Sequence, residues 1–101
     1  MNDNNSMEIF QEEAPEVAKA FNGLIESLVH FKGLDAKTKQ LIYIALKSAQ
    51  GDATAISFHV PMAKQLGASK AEVTDAILLT LTVSGLTGVA SCLSEAIKFF
   101  E

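Results

Sequence analysis

The sequence predicts an all-α protein with a single domain of about five helices. Three observations support this class: apolar residues recur at helical spacing, capping residues precede those segments, and glycines mark the links between them. The chain has 101 residues, 49% hydrophobic and 20% charged, which suits one core and leaves no room for two. We expect residues 1–12 to form a flexible tail and residues 13–101 to form the helical domain.

The first two helices are predicted from apolar spacing and from the residues at their ends. Pro15 suits the first turn of a helix, because a proline there loses no hydrogen bond, and this helix should end near Gly33. Asp35 should cap the second helix, and Gly51 should end it. The apolar positions are Val17, Phe21, Leu24, Ile25 and Leu28 in the first helix, and Leu41, Tyr43, Ile44, Ala45 and Leu46 in the second.

The third and fourth helices begin at recognisable caps. Asp52 should open the third helix, which runs to Gly67, and Pro61 should cause a kink or a restart near residues 57–61 because proline removes a backbone donor. Ser69 and Glu72 match a capping box, so the fourth helix should begin there.

The segment 79–84 alternates apolar and polar residues, which on its own favours a strand. No second alternating segment exists to pair with it, so we expect the fourth helix to continue. Gly85 and Gly88 should either turn the chain or let two helices approach closely, and residues 89–100 form the last helix. Because the fourth helix is apolar on most sides, we expect a homo-oligomer in which subunit contact helps to bury it.

Composition argues against several classes of partner. The eight basic residues are all lysines, scattered along a chain of net charge −4, so we expect no nucleic-acid binding. Without arginine, the chain lacks the side chain that grips anions in a bidentate way. Residues 76–92 are interrupted by polar residues and glycines, which argues against a membrane span. The Asn-rich start lacks signal-peptide features, and a single cysteine suits a cytoplasmic location.

Few residues could carry chemistry. Asp52 and His59 share one stripe of the third helix but lie about 10 Å apart along its axis, too far for a direct hydrogen bond. His59 is either a half-buried histidine with a satisfied ring or a ligand-facing proton carrier. Asp52 is interpreted as an N-cap and His30 as structural. Cys92 has no Cys-x-x-Cys partner and is interpreted as an inert thiol, and we expect no metal or cofactor.

Several segments in this order resemble the carboxymuconolactone decarboxylase and alkylhydroperoxidase D superfamily. They are the run 34–46, the pair Phe58-His59, and the turn and helix start at 67–73. The resemblance extends from Leu34 to about Ala96. It implies an alkylhydroperoxidase D-like helical bundle that assembles into trimers or hexamers.

The hydroperoxidase branch that the chain resembles uses a glutamate, a Cys-x-x-Cys pair and a histidine. Its thiols reduce peroxide, and the glutamate and histidine relay protons. Matching His59 to the family's histidine places the cysteine positions at Asp52 and Ala55 and the glutamate position at Gln40. Ala55 and Asp52 cannot form a disulfide, and Gln40 cannot exchange a proton at pH 7. We therefore expect no thiol peroxidase chemistry by the family's mechanism.

Two functions from different classes remain open. The first is a cofactor-free decarboxylase or isomerase that acts by proton transfer on a small, mostly apolar organic molecule. In it, His59 is the acid or base, Gln40 and Asp52 position or polarise, and a Gln40–His59 hydrogen bond is possible. The alternative is a non-catalytic oligomeric binding or structural protein. A peroxidatic role for Cys92 is a third, less favoured hypothesis.

Overall fold

The computed structural model describes residues 4–101, with side chains described from Ser6 onward. Within that range every regular element is a helix or a helical turn and there is no strand, so the predicted all-α class is confirmed. The chain separates into two compact units, one up to Gly33 and the other from Leu34 to Glu101. Each unit is described by itself below.

The first unit is a pair of helices, α1 (Asn4–Glu13) and α2 (Pro15–His30). Helix α1 lies where we expect a flexible tail; its Glu, Gln and Met residues favour helix, and that local propensity was missed. The remaining residues of the expected tail, 1–3, lie outside the described range. The expected boundary between tail and helical domain, at residues 12 and 13, stays a prediction. Pro15 occupies the first turn of α2, as predicted, but α2 ends at His30, before Gly33.

Apolar side chains join the two helices of this unit. The Phe10 and Phe21 rings meet edge to face, with centroids 6.1 Å apart, and Ala18 is buried. Other apolar side chains of α2 are exposed: Val17, Leu24 and Leu28.

The second unit begins with three capped helices, α3 (Ala36–Ala49), α4 (Ala53–Gln65) and α5 (Lys70–Leu79). All three predicted caps are confirmed. Asp35 accepts from the Thr38 amide at 2.7 Å, and Asp52 caps α4 in the same way. Ser69 and Glu72 form the complete capping box. Each cap satisfies an amide that the first turn of the helix leaves without a partner.

Helix α4 continues through Pro61 without the restart that we considered. Pro61 is half-buried, so water can reach this part of the helix and lower the cost of the lost backbone donor.

The chain after α5 is helical but irregular. Thr80 separates α5 from α6 (Leu81–Ser84), and its buried hydroxyl donates to the Ile77 carbonyl at 2.6 Å. The expected helix over 79–84 is thus confirmed, with this one interruption. A π-helical turn (Val89–Leu93), α7 (Ser94–Ile97) and a 3₁₀ turn (Lys98–Phe100) complete the chain. The predicted count of five helices differs because α1 was missed and these segments were treated as continuous.

The two glycines near α6 perform the two roles considered for them, one each. Gly85 has a φ of 61°, which favours glycine, and it ends α6 by turning the chain. Gly88 has helical angles, but a Cβ atom there would lie 2.7 Å from Thr80 Oγ1 and 2.8 Å from the Ser48 carbonyl oxygen. Gly88 therefore permits a close approach to α3.

The core of the second unit lies between α3, α4, α5 and the C-terminal segment. Its fully buried side chains include Ile44, Ile56, Val60, Val73, Ile77, Cys92 and Ala96. An ion pair between Lys37 and Glu72, 3.0 Å, connects α3 to α5 at the surface. Helices α3 and α4 are joined by a short link that includes Gly51, whose φ is 73°. This hairpin carries every residue of the candidate site.

Candidate active site

The candidate site lies on the seam between α3 and α4, where His59 meets Gln40. The His59 Nδ1 atom lies 3.0 Å from Gln40 Oε1. An amide oxygen can only accept a hydrogen bond, so Nδ1 carries the proton and donates it. The hydrogen bond expected as possible between these two residues is therefore confirmed. It leaves the lone pair of the neutral ring on Nε2, the atom available as a base.

The His59 ring is half-buried and not sealed in the core. Its Nε2 atom makes no hydrogen bond to another protein group within the part of the chain that the structure describes. Gln40 holds the ring through its other nitrogen, Nδ1.

The surroundings of His59 favour the neutral imidazole. Burial is the main cause that lowers the pKa of His59 below its ordinary value of 6.5, and the positive charge of Lys47 lowers it further. The ring is therefore predominantly unprotonated at neutral pH. An electrically neutral Gln40 cannot reverse this effect, whereas a carboxylate at the same position would.

Two further residues of α3 belong to the site, although sequence reasoning did not select them. The Tyr43 ring lies against the His59 ring, with centroids 4.1 Å apart and planes at 38°. The Lys47 ammonium lies 5.8 Å from the centroid of the Tyr43 ring. Tyr43 was interpreted as part of an apolar face and Lys47 as a scattered charge. Their spacing from Gln40, three and seven residues, places all three on one face of α3 and could have identified them.

The hydrogen bond and the ion pair of Asp52 go to residues other than His59, in agreement with the spacing argument. Its Oδ1 atom accepts from the Ala55 amide at 3.0 Å, and its Oδ2 atom lies 3.6 Å from Lys47 Nζ. The carboxylate thus caps α4 and pairs with Lys47. Its connection to His59 is indirect, through Lys47.

Cys92 lies in the core and not at the site. The side chain is fully buried, and this burial is the main cause that raises the pKa of its thiol. The Asp52 charge raises it further, and the nearby Ser48 hydroxyl opposes the effect, although Ser48 Oγ makes no hydrogen bond of normal geometry. A buried thiol with a raised pKa is a poor nucleophile, which argues against a peroxidatic Cys92.

Neither of two grooves on the second unit includes His59. One, of about 310 Å³, lies between α3 and α5; the other, of about 670 Å³, follows α5. Residues 4–101 include no cluster of three or more His, Cys, Asp or Glu side chains that could hold a metal ion, and no helix in that range is long and apolar enough to cross a membrane.

Comparison with known proteins identifies the family of the chain. The chain is 29% identical over 96 residues to an uncharacterized protein of Methanocaldococcus jannaschii. This alignment covers 94% of the chain and 88% of that protein. The carboxymuconolactone decarboxylase family matches residues 15–98, which include α2 and the whole α3–α4 hairpin. The chain therefore belongs to the carboxymuconolactone decarboxylase family.

Proposed function

We propose that this protein is a cofactor-free proton-transfer enzyme, of the decarboxylase or isomerase type, that acts on a small organic molecule. The observation that carries the proposal is the Gln40–His59 hydrogen bond at 3.0 Å, which leaves Nε2 as the basic atom of a half-buried ring. In the proposed reaction, Nε2 removes a proton from a carbon acid and the ring becomes an imidazolium. In an isomerisation the imidazolium returns this proton to a different carbon of the substrate. In a decarboxylation the ring instead takes its proton from water, the bond from the substrate carbon to its carboxylate breaks with release of CO₂, and the imidazolium protonates that carbon. In both cases the ring ends neutral.

The neighbours of His59 divide the remaining tasks. Gln40 holds the tautomer that exposes the lone pair on Nε2. Burial, with the positive charge of Lys47 as a smaller cause, lowers the pKa of His59 and keeps the resting ring unprotonated, which makes the base available but reduces its strength. Asp52 acts at a distance, because it holds Lys47 and caps the helix that carries His59.

Solvent deuterium exchange tests the proposal without knowledge of the substrate. A panel of small lactones and 2-oxo acids is incubated with the protein in D₂O, and loss of the C–H signals is followed by NMR. We expect exchange with the wild type and with His30→Ala, and none with His59→Ala. His30 is a matched control because it is exposed and its ring bonds to the carbonyl of Glu26 in its own helix. Equal exchange by wild type and His59→Ala contradicts the proposal.

The alternative is a non-catalytic oligomeric protein that binds a small molecule or has a structural role. Asp52 favours it, because both carboxylate oxygens already have structural partners. This alternative predicts no exchange with any carbon acid in the panel, together with a folded assembly in which His59→Ala changes nothing but ligand affinity.

We also propose that the protein forms a homo-oligomer. Apolar side chains near α6 are largely exposed in the single chain: Leu79 is 62%, Val83 79% and Leu86 70% exposed. Soluble monomers rarely display a large continuous apolar surface, and the family resemblance implies a trimer or hexamer. Sedimentation tests this proposal, and a monomer of 10.8 kDa would contradict it. A cytoplasmic location stays a prediction from the cysteine content.

A further inference from the structure

The Tyr43 ring lies against the His59 ring, and this contact has no part in the proposed proton transfer. The two ring centroids are 4.1 Å apart, so one face of the imidazole is covered. Tyr43 follows Gln40 by nearly one turn of α3, and both side chains reach His59 from the same helix. His59 is thus held at an edge by one residue and on a face by the other.

These two contacts restrict different motions of the ring. A single hydrogen bond at Nδ1 holds one atom but lets the imidazole rock about the line that joins Nδ1 to Gln40 Oε1. Contact with a flat ring removes that freedom, because rocking would drive the imidazole into the tyrosine. A base that must meet one C–H bond benefits from such a fixed direction.

We propose that Tyr43 is a positioning residue that fixes the plane of the His59 ring and thereby the direction of Nε2. This inference rests on the proposed function, because a fixed Nε2 matters to the extent that Nε2 acts as a base. The aromatic ring, and not the hydroxyl, performs the role. Lys47 lies 5.8 Å from the centroid of the Tyr43 ring and pairs with Asp52, so the cap of α4 and the Tyr43 ring share one neighbour.

NMR of the His59 ring tests this role without any substrate. His30→Asn removes the other histidine, so that the ¹⁵N and ring-proton signals belong to His59 alone. In that background we compare Tyr43→Leu, which removes the ring, with Tyr43→Phe, which keeps it. Phe58→Leu is the matched control, because Phe58 neighbours His59 in sequence and is 51% exposed.

We expect Tyr43→Leu to mix the two tautomers and to raise the pKa of His59 towards its ordinary value, because water reaches the uncovered face. Tyr43→Phe and Phe58→Leu should keep the tautomer and the pKa of the parent. The inference is overturned if Tyr43→Leu behaves as the parent does, or if Tyr43→Phe behaves as Tyr43→Leu does.

A measurement on the parent protein covers the case in which Tyr43→Leu does not fold. We expect nuclear Overhauser effects between the Tyr43 and His59 ring protons, and their absence overturns the inference. These readouts separate it from the proposed function. A protein with a well-positioned His59 but no deuterium exchange refutes the proposed function alone, whereas normal exchange in a Tyr43→Leu variant whose His59 signals are unchanged refutes the positioning role alone.

Discussion

Replacing Gln40 with glutamate places a carboxylate where the structure has a neutral amide oxygen. His59 Nδ1 already lies 3.0 Å from that oxygen, so the new charge needs no rearrangement to reach the ring. A protonated His59 would then form an ion pair. We expect Gln40→Glu to raise the pKa of His59, in the direction opposite to the combined effect of burial and Lys47.

The size of this effect follows from the distance and from the half-buried position of the ring. With charge centres roughly 4 Å apart, the attraction is about 1 kcal/mol in water and about 4 kcal/mol at an effective dielectric of 20. A half-buried pair lies between these limits, so we expect about 1–3 kcal/mol, or a 5- to 150-fold shift of the protonation equilibrium.

Titration of the His59 ring protons by NMR, in a His30→Asn background, measures this shift. Gln65→Glu is the control for a change of net charge, because Gln65 is an exposed residue at the end of α4. The reasoning is refuted if Gln40→Glu moves the pKa of His59 no more than Gln65→Glu does, since the hydrogen bond would then be absent in solution. Deuterium exchange in the same variant should decline at neutral pH, because more of the base is protonated.

Three further predictions concern stability. Gly88→Ala should destabilise the protein by about 1–3 kcal/mol in urea unfolding, because the added Cβ has no room. Gly23→Ala is the control: its Cβ would have nothing within 4 Å, so it should stabilise the protein by roughly 0.5–1 kcal/mol. Equal effects of the two substitutions would contradict this prediction. Asp52→Ala should cost about 1 kcal/mol through loss of the α4 cap, and a thermal scan that shows no loss counts against it. The pKa of His59 is lower in the folded state than in the unfolded state. The stability that depends on a neutral His59 is therefore fully present above pH 6.5 and is lost as the pH falls through the folded-state pKa. His59→Gln should therefore weaken the fall in stability just below pH 6.5, and unchanged pH dependence would refute this.

Features set by neighbouring residues were predicted well from sequence. Asp35, Asp52 and Ser69 begin helices because each side-chain oxygen accepts from the free amide three residues later, and that chemistry is local. Helix α1 was missed because the Asn-rich start suggested a tail, while the residues after it favour a helix.

The candidate site was predicted in part. The Gln40–His59 contact was anticipated because the family resemblance relates the two positions across two helices. Tyr43 and Lys47 share the Gln40 face of α3, so their spacing from Gln40 was a usable signal. They were missed because hydrophobic periodicity and composition alone do not reveal how α3 rotates against α4. The close approach at Gly88 likewise depends on a partner 40 residues earlier in the chain, the Ser48 carbonyl.

The short link at Gly51 makes the site sensitive to insertions and deletions. Gln40, Tyr43 and Lys47 precede this link, and Asp52 and His59 follow it. Since each residue of a helix turns it by about 100°, one residue added or removed within either helix between the link and the site would rotate His59 away from Gln40. Conversely, all the residues of the candidate site belong to one continuous segment, Ala36 to Gln65. The site could therefore be grafted onto another helical protein as a single segment.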